Sequence, residues 1–211
     1  MFGQHMLLAG SGTAFALDFK GFTVAAESGS TLIQQTTADL GDADAGRSII
    51  VVGWSQAGAM SACSVAGIPA TQISQSVDES RRQSVFIASV PTGLTGDISI
   101  ITSGLGAASL AWYRIVGHSS NTPFDIHENL TGGSVTVDIP AGGAALAFAQ
   151  RIDGSGGSEG WTNVDFVDVN NTTGERQRDA ARKFASGGAL TGHVMSIGGA
   201  IRNEIGMSWG P

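Results

Sequence analysis

Short apolar runs alternate along the chain with breaks marked by glycine and proline, a pattern that predicts strands. Ser48-Ile-Ile-Val-Val-Gly-Trp54 is apolar enough for a buried strand and is led in by the polar turn Asp42-Ala-Asp-Ala-Gly46. Cys63–Val65 and Ala70–Ile73 flank Gly67-Ile-Pro69, a hairpin signal. Gln83–Val90 stops at Pro91-Thr-Gly93, and Asp97–Thr102 and Ala108–Val116 follow. Ser134-Val-Thr-Val-Asp-Ile139 alternates cleanly, so it predicts a strand with one buried face and one wet face. Pro140-Ala-Gly-Gly143 then turns the chain into Ala144–Ala149. Strands roughly every ten residues, with turns between them, predict an all-β fold: an antiparallel β-sandwich of jelly-roll or Ig-like type.

The two ends are less regular. Residues 1–40 divide from a sandwich domain over 41–211 and read as an N-terminal arm or as opening strands, with a hairpin across Lys20-Gly21 as one form. Phe2, Leu7, Leu8, Phe15, Phe19 and Phe22 give this segment more apolar surface than a soluble monomer exposes, which makes them candidates for assembly contacts. Near the other end, Asp153–Gly160 predicts a flexible surface loop. Trp161–Val169 and Ile201–Trp209 have strand patterns, while Arg176–Ala185 fits either one short helix or a charged edge strand.

Composition narrows the function. The 211 residues include 31 Gly but only 14% charged residues, against a usual ~25%. Such a surface is either hidden in an assembly or built from small polar residues. With 11 Lys and Arg against 18 Asp and Glu the net charge is −7, so a nucleic-acid surface is not expected. No apolar run approaches a membrane span, and no basic, apolar leader opens the chain. Cys63 is the sole cysteine and sits among apolar neighbours, as a small buried hydrophobe does. Gly10-Ser-Gly12 lacks the third glycine of a dinucleotide loop. No cofactor is expected.

One segment mimics a catalytic motif. Gly53-Trp-Ser55-Gln-Ala57 after an apolar strand is close to the nucleophile elbow of serine hydrolases, and Asp165 and His193 supply a Ser…Asp…His order. Only 48 residues precede Ile49, however, and the chain downstream lacks the regular helical periods of an α/β sheet. His118, Asp125, His127 and Glu128 gather without paired ligand spacing and read as a polar loop, with no metal expected. Trp54 and Trp112 sit in apolar runs and predict core. Trp161 and Trp209 are the better candidates for contact surface.

The order Gly41-Asp-Ala-Asp-Ala-Gly-Arg47, Ile49-Ile-Val-Val52, Ser64-Val-Ala-Gly-Ile-Pro-Ala-Thr71 and Val90-Pro-Thr-Gly93 resembles β-sandwich virion structural proteins of tailed bacteriophages. Trp112-Tyr-Arg-Ile115, Thr122-Pro-Phe-Asp125, Val137-Asp-Ile-Pro-Ala-Gly-Gly143 and Ser208-Trp-Gly-Pro211 continue the likeness. The resemblance implies a virion component, either a head decoration or a neck or tail-fibre module, without catalytic residues. Its expected partners are further copies of itself, with a trimer favoured, and other virion proteins. The rival expectations are a carbohydrate-binding adhesion module that meets a host-surface glycan through Trp161, and a serine hydrolase using Ser55.

Overall fold

Runs of unbroken apolar sequence become inner strands here, and alternating runs become outer ones. The structure is a computed structural model that describes residues 13–24, 31–56, 58–78, 81–104, 107–130, 132–151, 160–173, 176–198 and 201–211. Among these residues there is no helix, only strands and their connections. The first eight strands are β1 (Ala16–Val24), β2 (Leu32–Asp39), β3 (Ser48–Ser55), β4 (Met60–Val65), β5 (Ile68–Asp78), β6 (Arg81–Ser89), β7 (Thr95–Thr102) and β8 (Ala108–Val116). The second eight are β9 (Asp125–Asn129), β10 (Ser134–Ile139), β11 (Ala144–Arg151), β12 (Trp161–Thr162), β13 (Phe166–Thr173), β14 (Arg176–Phe184), β15 (Leu190–Ile197) and β16 (Ile201–Trp209).

The first eight strands form one antiparallel sheet in the order β1-β8-β3-β6-β5-β4-β7-β2. It folds over along β5, whose first residues pair with β4 and whose remainder pairs with β6. β1 and β2 approach each other, so the sheet nearly closes on itself. The second eight give β13-β14-β11-β16-β9 and β10-β15-β12. Read in chain order, these two lists are the same connectivity: β1-β8-β3-β6-β5 matches β9-β16-β11-β14-β13, and β4-β7-β2 matches β12-β15-β10. Each set is a jelly roll, two layers of antiparallel strands joined by Greek-key crossings. The sequence carries traces of the repeat at a constant 96-residue offset, in Leu94-Thr-Gly96 with Leu190-Thr-Gly192 and in Ala45-Gly46 with Ala141-Gly142. One turn bond recurs at that offset, from Arg47 N to Asp44 O and from Gly143 N to Pro140 O, both 2.9 Å.

Three apolar layers hold the stack together. Ile49, Val51, Phe86 and Leu110 face Ile33, Val65, Ile98 and Ile100 inside the first half. The opposite faces of the same inner strands, with Ile50, Val52, Trp54 and Tyr113, pack on Leu146, Phe148, Ile205 and Met207 of the second half. A third layer joins Ala145, Ala147 and Ala149 to Val135, Val137 and Met195. Side chains alternate across a strand, so β3 and β11 need apolar residues at odd and even positions alike. β10 is an outer strand, and its wet face is therefore polar.

Several expectations change. Lys20-Gly21 is not a hairpin turn: β1 runs through it as one strand paired with β8, and the register shifts at this point. Glycine is needed at position 21 because a Cβ there would run into the Trp112 ring. Arg176–Ala185 is neither a helix nor an edge, because β14 lies between β13 and β11 and buries Ala180 and Ala181. Trp161–Val169 is broken at Asn163, where a positive φ of 60° sends β12 and β13 into different sheets. The hairpin after Val65 turns at Ala66 and Gly67, with φ of 51° and 79°, one step earlier than Gly67-Ile-Pro69.

Candidate functional site

The described part of the N-terminal segment joins the first jelly roll through β1 and β2. Leu17 is buried, and Phe15, Phe19 and Phe22 pack against the core shared by the two halves. Phe19 lies beside Tyr113 and Phe22 beside Trp54, with ring centroids 5.4 and 6.3 Å apart. Phe2, Leu7 and Leu8 fall outside the described residues, as does all of the 153–160 loop except Gly160. Trp161 packs in the third apolar layer, and Trp209 belongs to the shared core, so neither ring offers a face to solvent.

The hydrolase geometry does not assemble. Ser55 ends β3 inside the sheet, paired with Arg82 and Ala108, and its hydroxyl accepts a bond from Gly58 N at 3.4 Å. Gly53 is a strand residue held close to the side chains of Met60 and Ile100, with no tight strand–helix turn. His193 lies in the outer β10-β15-β12 sheet and is bonded to Asn163 O at 2.8 Å. The five-stranded sheet stands between that layer and β3. At about 10 Å per layer, roughly 20 Å separates the serine from the imidazole. Asp165 accepts from Lys183 Nζ at 2.8 Å and from Phe184 N at 2.7 Å.

The polar group at 118–128 also disperses, each member bonded to a different partner. His127 Nδ1 accepts from Thr136 N, Asp125 accepts from Asp138 N, and Glu128 receives the Ser74 hydroxyl across the junction of the halves. His118 Nε2 is 2.8 Å from Asn121 Oδ1. No cluster of three or more metal-ligating side chains occurs among the described residues. Cys63 is buried in the first core, and that burial pushes its thiol up to about 12.

What the fold does build is a junction around Asn121, in the segment joining β8 to β9. Asn121 Oδ1 receives the Ser48 hydroxyl at 2.7 Å, and Asn121 Nδ2 donates to Ser89 Oγ at 2.9 Å, which fixes the segment to the first half. Its carbonyl accepts the Trp209 indole at 3.5 Å from the second half. Pro123 forms a ridge with a groove on each side. One groove of about 440 Å³ is lined by Ser119, Ser120, Phe124, Pro140, Trp209 and Pro211. The other, about 370 Å³, runs past Gln72, Ile73, Ile87 and Ile126. The described lining of both grooves is apolar or neutral polar. Phe124 stands out at the first groove with 63% of its surface exposed. Sequence reasoning missed this junction because Gly117–Phe124 reads only as a polar turn. The blocks Thr122–Asp125, Val137–Gly143 and Ser208–Pro211 meet there. No protein-family model matches the chain, and no curated protein matches it either.

A further polar contact crosses between the halves. Arg182 grips Asp168 with both ends of its fork, at 2.8 and 2.9 Å, and donates to Leu17 O at 2.7 Å. It also lies 4.8 Å over the Phe166 ring. Burial raises the Asp168 carboxyl above its ordinary range, although Arg182 opposes that shift. Asp165, also resisted by burial, is held below that range by Lys183 and Phe184 N. The two carboxyls therefore act with opposite sign. Stability from protonated Asp168 is complete below the unfolded value and lost as pH rises through the raised folded one. Stability from ionised Asp165 is complete above the unfolded value and lost as pH falls through the depressed one. Carboxyl carbon NMR titration is expected to give midpoints on opposite sides of 3.8 for the two residues.

Proposed function

We propose that the protein is a structural component of a tailed-bacteriophage virion that works by contact, with further copies of itself and with other virion proteins, a trimer being the favoured assembly. The observation that carries this reading is the outer face of β2-β7-β4. Leu32, Gln34, Ala62, Ser64, Ser99 and Ile101 form an uncharged patch on it, bordered on β7 by the exposed Asp97, although the chain as a whole carries −7. Leu32 and Ile101 are directly opposed there and remain 42% and 51% exposed. Two copies of an acidic chain meet with least repulsion through a face of this kind, and burying aliphatic side chains favours the contact. Jelly-roll sandwiches also build viral capsid domains, a supporting analogy that lectins share.

Light scattering on the purified chain tests the assembly. The expected mass is three times the 21.5 kDa of one chain, falling to one chain in the double variant Leu32→Lys, Ile101→Lys with unchanged circular dichroism. A monomer at tens of micromolar overturns the oligomer, and purified particles that lack the chain by mass spectrometry overturn the virion role. Glycan-array binding by a monomer would favour the adhesion module.

A further inference from the structure

Between the two halves, at the end of the shared core marked by Trp54, the facing sheets turn polar. On the first half the polar side chains form one cross-strand row: Ser76 opposite Gln83, Gln83 opposite Trp54, and Trp54 opposite Ser109. On the second half Gln150 and Asn203 are directly opposed on β11 and β16, and Arg178 flanks Gln150 on its other side. Strand alternation puts Trp54 on the face of Ile50 and Val52, and Gln150 on the face of Leu146 and Phe148, so both rows look into the shared core. The Trp54 and Phe148 rings are in contact, with centroids 6.3 Å apart, and Gln150 follows Phe148 by two residues. The rows therefore lie at the same end of the seam.

Every one of these side chains is at most 1% exposed. Yet the Trp54 indole nitrogen, the Ser76 and Ser109 hydroxyls, both amide atoms of Gln83 and of Asn203, and Gln150 Oε1 have no hydrogen-bond partner. Native proteins leave few buried polar groups unmatched, and ordered water is the usual partner where the protein supplies none. The chemistry of the band selects the ligand. Indole and amide N–H groups offer donors, amide carbonyls offer acceptors, and the serines offer both. An anion would face the carbonyls unfavourably, and a cation would face the N–H groups. Arg178, beside Gln150, already has an interaction of its own. A neutral molecule that both donates and accepts suits the whole set.

We propose that this band is a closed hydration site, in which ordered water bridges the Gln83–Trp54–Ser109 row to the Gln150–Asn203 row. The two jelly rolls are then joined by apolar packing along most of the seam and by trapped water at this end.

Oxygen-17 relaxation dispersion of water on the native protein tests this, because internal water exchanges slowly with bulk and adds a low-frequency step. The double variant Gln150→Leu, Asn203→Leu is expected to lose much of that step while its thermal midpoint stays unchanged or rises, since apolar groups replace unmatched polar ones. If that variant does not fold, Gln83→Met is read in the same way. A native step equal to that of the folded variant would overturn the proposal. So would an experimental structure in which these amides pair with one another and no solvent lies between the rows.

Discussion

Replacing Arg47 with alanine is expected to cost about 3–5 kcal/mol of folding stability, read from the shift of the denaturant midpoint at constant slope. The Arg47 side chain is buried at the start of β3, and all five of its N–H directions are used. Nε donates to Val90 O at 2.6 Å. Nη1 donates to Gly41 O at 2.7 Å and to Leu40 O at 3.4 Å, and Nη2 to Thr92 O and Gly93 O at 2.6 and 2.8 Å. One side chain thus satisfies carbonyls from two separate turns. Alanine would leave the buried carbonyls of Val90 and Leu40 without this donor, each an unmet group costing about 1–3 kcal/mol before relaxation. Lysine restores the charge but not the planar fork, so Arg47→Lys is expected to recover only part of the loss. If Arg47→Ala unfolds at the native midpoint, water reaches these carbonyls and the knot is not a structural centre.

That knot explains why Gly41–Arg47 and Val90–Gly93 stand out in the sequence as blocks: they meet on one guanidinium. The strands were legible for a related reason. Ile49–Val52 and Ala144–Ala149 are apolar at every position because each lies between two packed layers, and Ser134–Ile139 alternates because it has only one. Where local pattern failed, a distant contact decided the outcome. Gly21 looks like a turn residue until the Trp112 ring is placed against it. The charges of Arg176–Phe184 suggest an edge or a helix, but Arg182 is drawn inward by Asp168 and by the carbonyl of Leu17. The two halves share few identities because a packed strand needs an apolar face more than a particular residue. Leu-Thr-Gly at 94 and again at 190 was the readable trace. The Asn121 junction had no readable signal, since its partners Ser48, Ser89 and Trp209 are far away in the chain.

Phe148→Ala is expected to destabilise the whole molecule by about 3–5 kcal/mol, the usual cost of emptying an aromatic-sized site in a packed core. Phe148 is fully buried on β11 in the second half. Its ring nevertheless contacts Trp54 and Tyr113 of the first half, with centroids at 6.3 and 6.0 Å and near-perpendicular or tilted planes. Edge-to-face pairs of this kind add about 0.5–1.5 kcal/mol each beyond burial, and the substitution removes both. The diagnostic feature is the shape of the transition. Ile50, Val52 and Tyr113 pack on the second half, and Leu146, Ile205 and Met207 pack on the first. Either half alone would expose that face to water, so separation and unfolding should occur together. Calorimetry is expected to show one peak for the native chain and one peak, at lower temperature, for Phe148→Ala. A variant with two resolved peaks, one still at the native temperature, would mean that the first jelly roll stands without its neighbour. The shared core would then be a docking contact between independent units instead of the middle of a single fold.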